Sequence, residues 1–263
     1  MDLAERISTL RRVNGLSARQ LAVLVDVAPT TVTRIESGAV SPSFDLAQEI
    51  LAVLGEPIGF TGAADVAAIA AARLALDPKL GIEVTAGVEA WRQRWARIGL
   101  VDGQGPAING KEADLLLRAG RAARLTRRSG AVDFKAGSTA YELADALGVA
   151  GIDYAVTGDA GANLYRSSVG EAWPVLYVED IGRAAETGGL SRKEPGSFGT
   201  RVTLIPFDGV CELGRIEIGD VIVVARDQVI IDAYGGIDRM PEQADILLGR
   251  REGRTLLEDL TRG

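Results

Sequence analysis

Apolar positions in the first sixty residues recur every three or four places, the spacing of one helical face. Ser17 stands where an N-cap belongs, and Leu21, Ala22 and Val25 follow on one side of a short helix. Asp26 to Ala28 break the pattern. Pro29 then suits the first turn of a new helix, because its φ is fixed and it has no N–H to satisfy. Val32 and Ile35 form the apolar side of this second helix, leaving Thr30, Thr31, Thr33 and Arg34 off it. Two short helices with a tight joint predict a helix-turn-helix unit. Base contacts are expected from Thr30, Thr31, Thr33 and Arg34, with Arg34 the residue suited to guanine. Contacts to the DNA backbone are expected from Arg11, Arg12, Ser17, Arg19 and Ser41.

Further along, an alanine-rich helix is expected from about Ala63 to Leu76, ended by Asp77-Pro78. Trp91 and Trp95 lie four apart on the next helix, a spacing that favours the core. The segment KEADLLLRAGRAARLTRRSG reads as one helix with Leu115, Leu116 and Leu125 inward. Arg118, Arg121, Arg124 and Arg128 would then form a basic strip along it, suited to phosphate or to water. From about Ser138 helices and β-branched strands alternate, and DVIVVARDQVIID reads as strand. RMPEQADILLGRREGRTLLEDLT reads as closing helices. The expected architecture is α plus α/β in three parts. They are a five-helix DNA-binding domain at 1–60, a helical basic connector at 61–135, and an α/β domain with a mixed sheet at 136–263.

Charge changes the picture. The net charge of −7 disfavours nucleic acid, but its distribution is uneven. Residues 1–60 carry five arginines against seven acids, residues 91–135 ten basic side chains against four acids, and residues 136–263 twelve against twenty-one. A second DNA contact is therefore expected in the middle of the chain. There is no histidine, which excludes Ser-His-Asp hydrolases and HExxH metallopeptidases. The single cysteine, Cys211, allows no internal disulfide and is expected as a buried thiol at a strand end. No apolar run reaches about 18 residues and no signal-peptide pattern opens the sequence, so a cytoplasmic protein without membrane contact is expected.

Leu3, Ile7, Leu10-Arg11, Leu16-Ser17, Leu21-Ala22, Val27, Val32, Ile35-Glu36, Gly38, Pro42, Leu46 and Ile50 make residues 1–60 resemble the Cro/C1 (XRE-type) DNA-binding domain. The resemblance implies a transcriptional repressor on double-stranded DNA, and a homodimer on an inverted repeat is expected because one such unit contacts only a half-site. Family members often carry Gln beside the Ser17 position, where this chain has Ala18 and Arg19. The second half resembles the AbiEi-type antitoxins of type IV toxin–antitoxin systems. The matching words are GIDYAVTG with Ala160 and Ala162, the strand VLYV, and Gln228, Asp232, Arg239, Glu242, Gln243 and Ala244. This implies an autoregulating antitoxin opposing a nucleotidyltransferase-like toxin, with no catalysis and no cofactor or metal of its own.

Three other readings use the same residues. A nucleotidyltransferase would hold magnesium on Asp159, Glu179 and Asp180, although Glu179 and Asp180 are adjacent and would point to opposite faces of a strand. A self-cleaving Ser/Lys domain needs a lysine after IEIGDVIVVARDQVIID, yet all four lysines lie upstream. A ligand-sensing regulator would use TGDAGAN to bind an anion at a helix N-terminus.

Overall fold

The computed structural model describes residues 2–56, 64–103, 105–135, 137–166, 173–193, 201–237 and 239–249. Four helices open the chain: α1 (Leu3–Val13), α2 (Ala18–Leu24), α3 (Pro29–Glu36) and α4 (Phe44–Val53). Asp2, Ser17 and Ser43 cap three of them by accepting from backbone N–H groups one turn ahead. The helices enclose a core of Ile7, Leu21, Val32, Ile35, Ile50 and Leu54.

Of the five helices expected at 1–60, the described residues carry these four. The next helix, α5 (Val66–Leu76), belongs to another core, and Ala68 to Ala72, Arg73 and Ala75 are all buried. A helix covered on almost every side lies inside a larger body. It packs with α6 (Ala86–Arg97) and α7 (Glu112–Ala122). Trp91 and Trp95 are buried there with ring centroids 5.3 Å apart, as their spacing predicts.

Beyond α7 come β1 (Val132–Lys135), α8 (Ala140–Val149), β2 (Tyr154–Thr157), α9 (Gly158–Tyr165), β3 (Val175–Val178) and α10 (Ile181–Thr187). Then follow β4 (Ser191–Arg192), β5 (Arg201–Pro206), β6 (Ile216–Ile218), β7 (Val221–Val223), α11 (Arg226–Gly235) and α12 (Met240–Leu247). The strands form one mixed sheet in the order β4-β1-β5-β3-β2-β7-β6. β3 runs parallel to β5 and β2 parallel to β7, while the other neighbours are antiparallel. Alternate residues of the inner strands serve two cores. Val156, Leu176 and Leu204 face α8 and α10, whereas Ala155, Tyr177 and Ile205 face the core shared with α5, α6, α7 and α11.

The expected connector at 61–135 is therefore not a separate layer. Its helices share a core with the sheet, and β1 is itself a strand between β4 and β5. Two further expectations are corrected. The strand expected through VIID is the helix α11, buried continuously from Gln228 to Gly235. The long helix through KEADLLLRAGRAARLTRRSG stops at Ala122 and gives way to a single 3-10 turn at Leu125–Arg127. Of the closing helices α12 is present, and residues 250–263 lie outside the described residues.

α7 and α11 cross at two glycines. A Cβ on Gly120 would stand 2.4 Å from the Ile231 carbonyl oxygen, and one on Gly235 would stand 2.7 Å from that of Gly120. Backbones this close need glycine on both sides. The crossing fixes the azimuth of α7, and with it the direction of its arginines.

Candidate nucleic-acid interface

Ser17 begins the site. Its Oγ accepts from the Gln20 N–H at 3.1 Å, and the Gln20 side-chain oxygen accepts from the Ser17 N–H at 2.8 Å. This reciprocal capping box fixes the entry of α2. Sequence reading singles out the serine and misses Gln20, three places on, although the S-x-x-Q spacing is its signal. Asp26 makes the joint with φ of 51°, a left-handed conformation that aspartate tolerates better than most residues. Pro29 occupies the first turn of α3, as expected.

On α3, Val32 and Ile35 are buried, so the opposite side is held outward. Thr30, Thr33 and Arg34 are exposed there, and Thr31 is half-buried. The Thr33 hydroxyl donates to the Pro29 carbonyl at 3.2 Å, which leaves an oxygen lone pair and its methyl group outward. Arg34 is paired with no acid among the described residues.

The expected backbone contacts divide. Arg12, Arg19 and Ser41 are exposed, and Ser17 keeps an exposed position although its hydroxyl is engaged in the cap. Arg11 is corrected. Its guanidinium grips Glu36 through two bonds of 2.6 and 2.9 Å and donates a third to the Leu16 carbonyl at 2.7 Å. The hydrogen bond to Glu36 raises its pKa. Arg11 therefore ties α1 to the end of α3 and is not free for a phosphate.

The basic strip is also corrected, because the break after Ala122 sends its members in different directions. Arg128 is buried against Asp232 at 2.6 Å. Arg124 pairs with Glu56 at 3.7 Å, and Glu56 also binds Arg6. Arg118 and Arg121 are half-buried and turn toward the N-terminal helices, where burial lowers the pKa of both. Arg118, Arg121, Arg124 and Arg128 therefore do not form one strip.

Arg128 and Asp232 anchor a buried polar network. Besides Arg128, the carboxylate accepts from the Thr157 hydroxyl at 2.8 Å, the Gln228 amide at 2.9 Å and the Tyr177 hydroxyl at 3.1 Å. Burial pushes the Asp232 carboxyl up, opposed by the charge of Arg128 and the hydrogen bonds from Thr157, Tyr177 and Gln228. Burial alone would lower the Arg128 pKa, but Tyr177, Cys211, Asp232 and Asp208 together raise it. Cys211 is buried as expected, though in a turn and not at a strand end, with its Sγ 3.0 Å from Asp208 Oδ2.

The acids considered for magnesium do not converge. β2 and β3 are antiparallel with Thr157 opposite Val175 and Tyr154 opposite Val178. Asp159 thus follows the end of β2 beside the start of β3, while Glu179 and Asp180 follow the far end of β3. The four residues between them span roughly 13 Å at about 3.3 Å per residue. Asp180 instead caps α10 through the Arg183 N–H, and Glu179 pairs with Arg183.

A helix-turn-helix family model matches residues 7–60, the segment that carries α2, α3 and the exposed threonines. No curated protein and no solved structure matches the chain. The N-terminal helices are a DNA-binding helix-turn-helix of the XRE type, and the chain is accordingly a DNA-binding transcriptional regulator. Among the described residues no helix is long and apolar enough to cross a membrane.

Proposed function

We propose that this chain is a cytoplasmic transcriptional repressor that binds an inverted-repeat operator as a homodimer through α3, without catalysis or cofactor. The observation that carries this is the outward side of α3, where Thr30, Thr33 and Arg34 stand exposed over a rigid Val32–Ile35 anchor. Exposed short polar groups beside an unpaired arginine suit base edges in the major groove. One such helix covers a half-site, so two protomers are expected on one duplex face, about 34 Å apart. Selection from random duplexes followed by mass measurement of the complex tests this. Two chains on a repeat with that spacing are expected; one chain on a single half-site contradicts the dimer.

The finer role proposed is that of autoregulating antitoxin in a type IV system. Its support is the AbiEi-like resemblance, whose words supply Thr157, Tyr177, Gln228 and Asp232 to a single buried network. Those residues hold the fold together, so the toxin is opposed through its operator or its target and not through them. The test is to identify the adjacent gene, where a nucleotidyltransferase-like toxin is expected, and to co-express its product with this chain. Relief of growth arrest is expected, and arrest unchanged by this chain contradicts the antitoxin role.

A further inference from the structure

α3 carries a narrow set of chemical groups on its outward side. Thr30, Thr33, Arg34 and Ser37 follow three- and four-residue spacing, so they share one face. All four are exposed, whereas Val32 and Ile35 on the opposite face are buried. The helix has no Asn, Gln or Asp. Its one glutamate, Glu36, is half-buried and held by the Arg11 guanidinium through two hydrogen bonds.

This composition limits what α3 can read. Adenine is best read by the paired donor and acceptor of an amide, and cytosine by a carboxylate acceptor. The outward face offers neither. Arg34 supplies the donor fork that suits guanine, which leaves the threonines to read whatever else α3 reads.

Thr33 is restricted further by its own helix. Its hydroxyl already donates to the Pro29 carbonyl at 3.2 Å, so its single proton is committed. With the oxygen turned back along the helix, the methyl group is left to face outward. In the major groove a side-chain methyl finds its apolar counterpart on thymine, whose 5-methyl group distinguishes it there from the other bases.

We infer that Thr33 is a specificity-determining residue that reads a thymine in each half-site through its methyl group. The inference rests on the reading of α3 as the helix in the major groove, and it names one base of the operator. Burial of one methyl group against the other is worth about fourfold in affinity.

The operator is selected from random duplexes with the full-length protein. Each thymine of a half-site is then replaced singly by deoxyuridine, which removes only the 5-methyl group. At one position the wild type should lose about fourfold in affinity. T33S keeps the hydroxyl and removes the methyl group, so it should bind the thymine and uracil duplexes alike. T33V keeps a methyl group and removes the hydroxyl, so it should still prefer thymine at that position. Circular dichroism establishes that each variant is folded. Wild-type affinity unchanged by uracil at every position overturns the inference, as does a loss that persists undiminished in T33S. A preference kept by T33S and lost in T33V assigns the contact to the hydroxyl oxygen and overturns it equally. Each of these outcomes leaves DNA binding by α3 standing. Failure of the selection to enrich any sequence instead overturns the DNA reading, and the thymine contact with it.

Discussion

Arg128 and Asp232 show how much one side-chain pair decides in the interior. Both are almost wholly removed from water, and each partner's charge is tolerable only in the presence of the other. Arg128→Ala is expected to cost about 3–5 kcal/mol, because it strands the Asp232 carboxylate among neutral donors. Urea unfolding measures this, and a loss below about 1 kcal/mol would mean that the pair is not closed in solution. Cys211 supplies a second prediction. Burial pushes its thiol well above the ordinary range, and Tyr177 behaves likewise. A group with a raised folded pKa gives its full contribution below its unfolded pKa, about 8.5 for a thiol. Above that, the unfolded chain ionises while the folded one stays protonated, so stability falls as pH rises. Cys211→Ala should flatten the decline between about pH 8 and 9.5, and in the wild type Ellman's reagent should react only after denaturant is added. Rapid reaction of the folded protein would contradict the buried placement.

At the scale of elements, the crossing of α7 and α11 is the joint on which the central body depends. Gly120→Ala would push a methyl group into the Ile231 carbonyl and is expected to destabilise by about 1–3 kcal/mol, or more if the helices cannot part. A thermal melt unchanged by this substitution would contradict the close approach. The same joint shows where sequence reading stops. A short β-branched run such as Val229-Ile230-Ile231 fits a buried strand or a buried helix equally, since periodicity vanishes when every side is covered. Burial on all sides is a property of the neighbours, which the run itself does not encode. By contrast, α2 and α3 are legible because amphipathic spacing and the residues that start a helix are local: Ser17 for the first and Pro29 for the second. The arginines after Ala122 escape sequence reading for a related reason. Helical spacing aligns them, and the break at Ala123 and Arg124 undoes the alignment.

Across the whole molecule, the charge map and the fold lead to different accounts of DNA affinity. The excess of basic residues at 91–135 suggests a second DNA contact, but Arg128 is spent on the core, Arg124 on Glu56, and Arg118 and Arg121 on the seam facing the N-terminal helices, while Arg92, Arg94 and Arg97 lie beside Glu89, Glu49 and Asp26. In residues 2–56, Arg6 and Arg11 are also paired, which leaves Arg12, Arg19 and Arg34 exposed and outside any ion pair. Affinity should therefore depend weakly on salt. Arg12→Ala should reduce the slope of log K against log salt by about one unit for each phosphate left unneutralised. Arg124→Ala should leave the slope unchanged, and a slope that fell with Arg124→Ala would restore the middle of the chain as a DNA-binding surface.

If α3 reads sequence through its exposed side, Arg34→Ala shows it directly. Affinity of the wild type and of this variant is measured on the selected operator and on random duplex at one salt concentration. A loss of about 1–3 kcal/mol on the operator, with much less on random DNA and relaxed preference at one base pair in each half-site, is the expected result. An equal loss on both duplexes would make Arg34 a phosphate anchor and contradict base reading by that side chain.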